Sequence, residues 1–210
     1  NVKICGSSSG LSDFGDGATH QCVEDMAIFR AVPNMTVICP ADANETREAV
    51  KAIAQMKGPC YLRLNRNDYP NVTKEGVRFE IGVPRILKHG TDVALFAAGY
   101  MTGVALEAAK ELEGSISVRV INVSTIKPMN KEVMRKMAEG CRAVVTAEEH
   151  NVAGGLGSAV AEALCEDPLP MKMVGIKDTF GCSGHNYQEV LAYHGLTKEA
   201  VAEAVREMAG

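Results

Sequence analysis

Short apolar segments alternate with amphipathic segments along most of this chain. Residues 93–97 and 118–123 have the length and the β-branched content of buried strands, whereas residues 102–113 and 130–139 repeat apolar side chains at helical spacing. Repetition of strand and helix with short connections is typical of a mostly parallel sheet that helices cover on both faces. The sequence therefore predicts an α/β fold with mostly parallel sheets.

The same alternation reaches both ends of the chain. Further strands are predicted at 2–5, 37–39, 61–64, 143–146 and 173–176, and further helices at 20–31, 156–166, 187–193 and 198–208. Asp42, with Glu45 three residues later, predicts the start of another helix, which Pro59 closes. Residues 67–84 contain prolines, glycines, asparagines and mixed charges without a sustained period, which predicts a linker. The chain thus divides into two α/β units, residues 1–75 and 76–210.

Composition excludes some classes of partner. The net charge of −4 offers no basic face for nucleic acid, and no apolar run is long enough to span a bilayer. We therefore expect neither a nucleic-acid nor a membrane partner. The seven cysteines form no Cys-x-x-Cys pair and lie mostly in apolar segments. This pattern favours free buried thiols in a reducing cytosol, and hence a cytoplasmic protein.

One glycine-flanked stretch carries groups suited to proton transfer. Asp16, Thr19 and His20 stand within five residues of one another and directly precede the predicted helix at 20–31. Open sheets of this class bind ligands at the carboxyl ends of their strands, and imidazole is the side chain best suited to move a proton near neutral pH. The alternative is a purely structural loop, in which Thr19 caps the helix and His20 is a solvated residue of its first turn.

Two other polar motifs favour structural interpretations. The glycines of residues 154–157 could receive an anion, but Val160 stands where a dinucleotide site needs its third glycine, so a tight turn is favoured. Glu148, Glu149 and His150 could suggest a metal site. Adjacent carboxylates on a predicted loop are more often solvated, and the sequence therefore predicts no metal ligands.

Two groups of short motifs follow each other along the chain. Those in the first unit are Gly15-Asp16-Gly17-Ala18-Thr19-His20-Gln21, Arg30-Ala31-Val32-Pro33 and Gly58-Pro59-Cys60-Tyr61. Those in the second unit are Ala147-Glu148-Glu149-His150-Asn151, Gly154-Gly155-Leu156-Gly157 and Phe180-Gly181-Cys182-Ser183-Gly184. In this order they resemble the transketolases. The resemblance covers essentially all 210 residues.

The resemblance implies both an architecture and an activity. Residues 1–75 resemble the second half of a pyrimidine-binding domain, and residues 76–210 resemble the C-terminal domain that transketolases share with the β subunits of 2-oxoacid dehydrogenases. The implied enzyme is a cytoplasmic transferase of carbohydrate metabolism in the pentose phosphate pathway. It moves a two-carbon ketol unit from a ketose phosphate to an aldose phosphate with thiamine diphosphate and Mg²⁺.

The first unit offers only three predicted strands. A parallel sheet needs a neighbour on both sides of each inner strand and helices on both faces, and three strands are too few to provide them. We therefore expect its missing half upstream of Asn1, in an N-terminal transketolase portion or subunit. The resemblance places the glutamate and aromatics that bind the cofactor there too. Residues 1–210 alone should neither bind thiamine diphosphate nor turn over substrate, and the resemblance further implies a homodimer.

The resemblance assigns roles to four residues. His20 is the expected proton donor and acceptor, Asp16 hydrogen-bonds a substrate hydroxyl, and Arg66 grips the sugar phosphate. Ser8 stands where many transketolases have a phosphate-contacting histidine. Gly15 replaces a glutamate of the family motif. These two departures leave the phosphate affinity, the substrate range and the subunit contacts open.

Two alternatives remain at this stage. A 2-oxoacid dehydrogenase β subunit would share the C-terminal domain, but it gives no reason for Arg66 or for the stretch from Asp16 to His20. A non-catalytic dimerisation or regulatory module would keep the fold without the chemistry. An activating glutamate with an aromatic cluster before Asn1 would exclude the non-catalytic module.

Overall fold

The computed structural model describes residues 1–210 and contains two sheets. The first sheet has the strand order β1-β3-β2-β7. Its strands are β1 (Lys3–Gly6), β2 (Thr36–Ile38), β3 (Cys60–Arg63) and β7 (Thr125–Lys127). β1, β3 and β2 run parallel, and β7 pairs antiparallel with β2.

The second sheet has five strands in the order β4-β6-β5-β8-β9. They are β4 (Arg85–Lys88), β5 (Val93–Ala97), β6 (Val118–Asn122), β8 (Ala143–Asn151) and β9 (Met171–Ile176). All neighbours are parallel except the edge strand β4, which runs antiparallel to β6. The prediction of an α/β fold with mostly parallel sheets is confirmed.

Seven helices accompany these strands. They are α1 (Asp25–Ala31), α2 (Ala43–Gln55), α3 (Met101–Glu111), α4 (Lys131–Ala138), α5 (Leu156–Leu164), α6 (Tyr187–Tyr193) and α7 (Lys198–Ala209). None of them has the length and apolarity that a bilayer-crossing helix requires.

The alternation of side chains along β5 shows why the second sheet is covered on both faces. Val93, Leu95 and Ala97 pack into one apolar core with α3, α6 and α7. Ala94 and Phe96 point to the other face, into a core with α4 and α5. This second core also contains side chains from β2 and β3 of the first sheet, so the two sheets share one apolar interior.

The first helix begins later than predicted. The sequence predicted a helix over 20–31, but α1 starts at Asp25. The preceding backbone makes long-range bonds instead, because the Cys22 carbonyl accepts the Gly10 amide at 2.9 Å and the Val23 carbonyl accepts the Asn151 amide at 2.7 Å. These bonds use groups that a continuous helix would need for itself.

Two short strands were not predicted from the sequence. β4 and β7 have four and three residues, and both pair antiparallel at sheet edges. β4 begins with Arg85 and ends with Lys88, and β7 ends with Lys127, so neither forms the continuous apolar run that marks β5. β7 lies in the predicted second unit yet completes the sheet of the first, and the boundary between residues 75 and 76 stays a prediction.

The predicted linker contains no helix or strand before Arg85, but hydrogen bonds and apolar contacts attach it to the first sheet and to α2. Asp42 caps α2 by accepting the Glu45 amide at 2.9 Å. Its carboxylate also accepts the amides of Val72 and Thr73 at 2.7 and 2.6 Å. Further along, Phe79 is buried among apolar side chains of α2 and β3. The linker is therefore part of the packed structure.

Replacing Asp42 with alanine should cost far more stability than the loss of an ordinary helix cap. The change removes one cap bond, two bonds to linker amides and one to the Thr73 hydroxyl, so we expect a loss of at least about 3 kcal/mol. Asn130→Ala is the control, because Asn130 caps only α4 and should cost about 1 kcal/mol. Urea unfolding measures both variants, and equal losses would contradict the anchoring role of Asp42.

Candidate functional site

Two loops meet at one edge of the first sheet. β1 and β3 are parallel neighbours whose last residues, Gly6 and Arg63, lie in register. The loop after β1, residues 7–24, is called here the β1 loop, and the loop after β3, residues 64–67, the β3 loop. The β1 loop carries Ser8, Asp16 and His20, and the β3 loop carries Arg66. All four predicted site residues therefore follow strands at the same edge.

His20 and Asp16 flank a single turn of 3₁₀ helix at Gly17–Thr19. His20 ends this turn, five residues before α1, instead of lying in the first turn of a helix as predicted. Both side chains are exposed, and His20 Nδ1 lies 3.0 Å from Thr19 Oγ1. The turn therefore presents an imidazole and a carboxylate to any ligand at this edge.

Arg66 is held in place by a residue that the sequence analysis did not single out. Its Nη1 atom lies 2.8 Å from Oδ1 of Asp13, which belongs to the β1 loop. About half of the Arg66 side chain is exposed. One carboxylate oxygen uses only part of the donor fork of a guanidinium, so the remaining donors can face an anion.

Ser8 lies at the beginning of the β1 loop and is half-buried. Its neighbour Ser9 is committed to the fold, because Ser9 Oγ donates to the Leu64 carbonyl at 2.8 Å. The Ser8 hydroxyl has no partner within the chain and can serve as a neutral donor to a ligand.

A loop of the second unit supports the β1 loop from the side. Gln21 Nε2 donates to the Cys182 carbonyl at 3.0 Å, and the Gly184 amide donates to the Phe14 carbonyl at 2.9 Å. Gly17 has a φ of +72°, and a Cβ atom there would overlap Ser183 Oγ. Glycine is thus required at position 17, three residues before His20, both by the backbone conformation and by this contact.

A buried ion pair lies directly below the two loops. Arg63 Nε lies 2.8 Å from Asp25 Oδ2, and Tyr61 donates its hydroxyl to the same oxygen at 2.7 Å. Burial opposes ionisation of Asp25, but the Arg63 guanidinium and the two hydrogen bonds hold its pKa below the usual range. Arg63 also donates to the Glu149 carbonyl at 2.9 Å, which joins β3 to β8.

The prediction that Glu148, Glu149 and His150 are solvated loop residues is wrong. β8 continues through them, between β5 and β9, and all three side chains are buried. No local pattern indicates this, since a strand ending in three polar residues resembles a strand followed by a loop. Their polar atoms are satisfied by partners within the fold, which for Glu149 and for Nε2 of His150 lie far away in the sequence.

His150 is held in a neutral form by its partners. Its Nε2 atom accepts the Met26 amide at 3.1 Å, whereas Nδ1 lies 2.6 Å from the Asn151 carbonyl and must carry the proton. Burial, with the Arg63 charge nearby, lowers the pKa of His150 to about 4. This histidine therefore ties β8 to α1 and is unsuited to proton transfer near neutral pH.

Glu148 occupies the N-terminus of α5. Its carboxylate accepts the amides of Leu156 and Gly157 at 2.6 and 2.8 Å. Burial raises the pKa of Glu148 to about 8, while the two amides favour the charged form. A Cβ atom on Gly155 would overlap this carboxyl group, so the glycine turn holds an acidic side chain that the chain itself supplies.

Two family models cover most of the chain. The model described as the transketolase pyrimidine binding domain matches residues 1–72, and the model of the transketolase C-terminal domain matches residues 82–201. The chain belongs to the transketolase family. The resemblance inferred from the motifs is thereby confirmed.

Several transketolase relatives are single subunits of an enzyme. One subunit of the apulose-4-phosphate transketolase of Phocaeicola vulgatus is 38% identical, over 99% of this chain and 67% of the relative. The 6-deoxy-6-sulfo-D-fructose transketolase subunit SqwH of a Clostridium species is 40% identical, over 99% of this chain and 65% of the relative. A solved structure described as a split gene transketolase, inactive beta4 tetramer, is 45% identical with a TM-score of 0.91, and the match covers all of this chain and 67% of that one. The chain thus spans about two thirds of the length of the relatives it matches.

Transketolases depend on thiamine diphosphate, whose diphosphate group needs an anion site. No three His, Cys, Asp or Glu side chains are grouped as metal ligands. The helix N-terminus of α5, which could receive a phosphate, is filled by Glu148. The N-terminus of α5 therefore offers no free site for a diphosphate.

Replacing His150 with glutamine should change how stability depends on pH. The unfolded chain binds a proton at His150 near pH 6.5, whereas the folded protein resists protonation down to about pH 4, so this contribution to stability is lost as pH falls between these values. The stability difference between wild type and His150→Gln should shrink by up to about 1.4 kcal/mol per pH unit in that window.

Urea unfolding at a series of pH values measures this difference. His89→Gln is the matched control, because His89 lies on an exposed loop, and its difference from wild type should stay constant across the window. A pH-independent difference for His150→Gln would show that His150 is not held neutral by the fold.

Proposed function

We propose that this chain is the C-terminal section or subunit of a transketolase that moves a two-carbon ketol unit from a ketose phosphate to an aldose phosphate. The observation that supports this most is the arrangement at the sheet edge. A loop turn presents the exposed His20 and Asp16, and the neighbouring loop presents the half-exposed Arg66. Such a set offers a proton carrier, a hydrogen-bond acceptor for a hydroxyl and a phosphate anchor on loops that follow neighbouring parallel strands.

Each residue has a defined task in this reaction. His20 gives a proton to the carbonyl oxygen that becomes an alkoxide when a carbon–carbon bond forms, and it takes a proton from the corresponding hydroxyl when that bond breaks. Asp16 accepts a hydrogen bond from a substrate hydroxyl, and Arg66 binds the terminal phosphate through its free donors. Ser8 adds a neutral hydroxyl, weaker for phosphate than a charged histidine would be. The carbon–carbon chemistry itself belongs to thiamine diphosphate in the complete enzyme.

We further propose an N-terminal transketolase portion or subunit as the partner of this chain, and assembly with a second copy of the chain. The names of the relatives that are single subunits support a division into two parts. The edge strand β1 and helix α1 support an interface, because Val2, Ile4 and Ile28 expose 64%, 39% and 55% of their surface. In this proposal the partner supplies the groups that bind the diphosphate and its Mg²⁺.

The seven cysteines are all free, and three of them, Cys39, Cys60 and Cys141, are buried. Burial raises the pKa of the Cys39 and Cys60 thiols to about 11, which makes them poor nucleophiles. This supports a reducing, cytoplasmic setting. The 2-oxoacid dehydrogenase alternative is disfavoured because both family models and the single-subunit relatives are those of transketolases.

His20→Ala in the complete enzyme should lower kcat by about a hundredfold or more, because general acid–base catalysis is worth that much. Affinity for thiamine diphosphate should stay nearly unchanged, since His20 acts on the substrate. Steady-state kinetics and calorimetry measure the two quantities. His89→Ala is the control for the loss of an exposed histidine. A near-normal kcat in His20→Ala would show that His20 belongs to a purely structural loop.

Arg66→Ala should fail in a different way. Loss of the phosphate anchor should raise KM for phosphorylated donors by about tenfold or more and spare unphosphorylated ones. Kinetics with one donor of each kind decide the matter. Arg47→Ala is the control, because Arg47 forms a similarly exposed ion pair, with Glu75, on α2. Equal losses for both donors in Arg66→Ala would overturn the phosphate role.

A further inference from the structure

The carboxylate of Glu149 bonds to both loops of the candidate site at once. Its Oε1 atom accepts the Leu11 amide of the β1 loop at 2.6 Å, and its Oε2 atom accepts Asn65 Nδ2 of the β3 loop at 3.1 Å. Glu149 itself lies on β8 in the second sheet and is almost fully buried. One side chain of the second sheet therefore holds the two loops that carry His20 and Arg66.

The surroundings of Glu149 leave it little freedom. A Cβ atom on Gly10, which has a φ of +64°, would lie 2.5 Å from Oε1. Asn65 Nδ2 also donates to the Tyr187 hydroxyl at 2.6 Å, which fixes the orientation of the amide. Burial raises the pKa of Glu149, while the positive charge of Arg63 and these hydrogen bonds favour its ionised form.

We propose that Glu149 is a positioning residue that sets the separation between the β1 loop and the β3 loop. Through Leu11 and Asn65 it fixes the distance from the proton-transfer end of the site, at His20, to the phosphate end, at Arg66. This assignment rests on the function proposed above. A substrate held at both ends reacts only when that distance suits it, so Glu149 acts on catalysis without touching the substrate.

Glu148 provides a matched control within the same strand. It is buried to a similar degree and likewise accepts two hydrogen bonds, but its donors are the backbone amides of Leu156 and Gly157 at the start of α5. Changing either glutamate to glutamine replaces a buried carboxylate by an amide and costs general stability. Only the change at position 149 alters hydrogen bonds to the β1 loop and the β3 loop.

Hydrogen exchange in the assembled enzyme tests the contact itself. A glutamine at position 149 has one acceptor oxygen where the carboxylate has two, so it can keep only one of the two hydrogen bonds to the loops. In Glu149→Gln, amides of the β1 loop or of the β3 loop should exchange about tenfold faster or more, and Glu148→Gln should leave both loops unchanged. Unchanged exchange in both loops of Glu149→Gln would overturn the proposal.

Steady-state kinetics test the consequence. For a phosphorylated donor, Glu149→Gln should lower kcat and raise KM together, with kcat/KM reduced by about tenfold to a hundredfold. Asn65→Ala, which removes only one of the two Glu149 bonds, that to the β3 loop, should raise KM and largely spare kcat. If Glu149→Gln and Glu148→Gln change kcat and KM in the same proportions, the role of Glu149 is merely structural and the proposal fails.

The exchange and kinetic measurements also separate this proposal from the proposed function. If the wild-type assembly transfers no ketol unit from any ketose phosphate, the proposed function is wrong. The exchange result alone then upholds or overturns the control of the two loops by Glu149.

Discussion

The buried ion pair between Arg63 and Asp25 holds together the parts on which everything else rests. Removing two charges from water is costly, and loss of one partner from such a pair typically costs about 3–5 kcal/mol. Here the cost is offset because Tyr61 and the Glu149 carbonyl satisfy the remaining polar groups. The pair joins β3 to α1 and β8. It therefore fixes the start of the β3 loop and the end of the β1 loop relative to the second sheet. This ion pair thereby helps to position the exposed groups at the sheet edge.

Much of the fold could be predicted because long, periodic segments are recognisable without knowledge of their neighbours. α4 and α7 have strong apolar faces, and β5 is an uninterrupted apolar run, so their existence and approximate limits followed from the sequence. The failures share one cause. The late start of α1 and the pairing of β7 with β2 depend on hydrogen bonds between residues far apart in the chain. Local periodicity carries no information about such partners.

The candidate site divides in the same way. Asp16, His20 and Arg66 could be predicted as site residues because they belong to short motifs in loops that follow strands. Asp13 and Gln21, which hold Arg66 and the β1 loop, could not be found, since their partners are a distant arginine and the Cys182 carbonyl of the other unit. The burial of Glu149 could not be found either. A carboxylate deep in a sheet is stable only when donors from elsewhere reach it, and only the folded structure reveals those donors.

The antiparallel pairing of β2 with β7 bears on how such a chain can be synthesised and divided. β2 leaves the ribosome early, but its outer neighbour is completed only when Lys127 has been made. Until then β2 has an open edge on that side, exposed to pairing with other nascent chains. A cut between residues 75 and 125 would separate β2 from this neighbour even though it falls outside the first family match. The linker is thus a poor place to divide the protein into two genes, despite being the point where its sequence pattern changes.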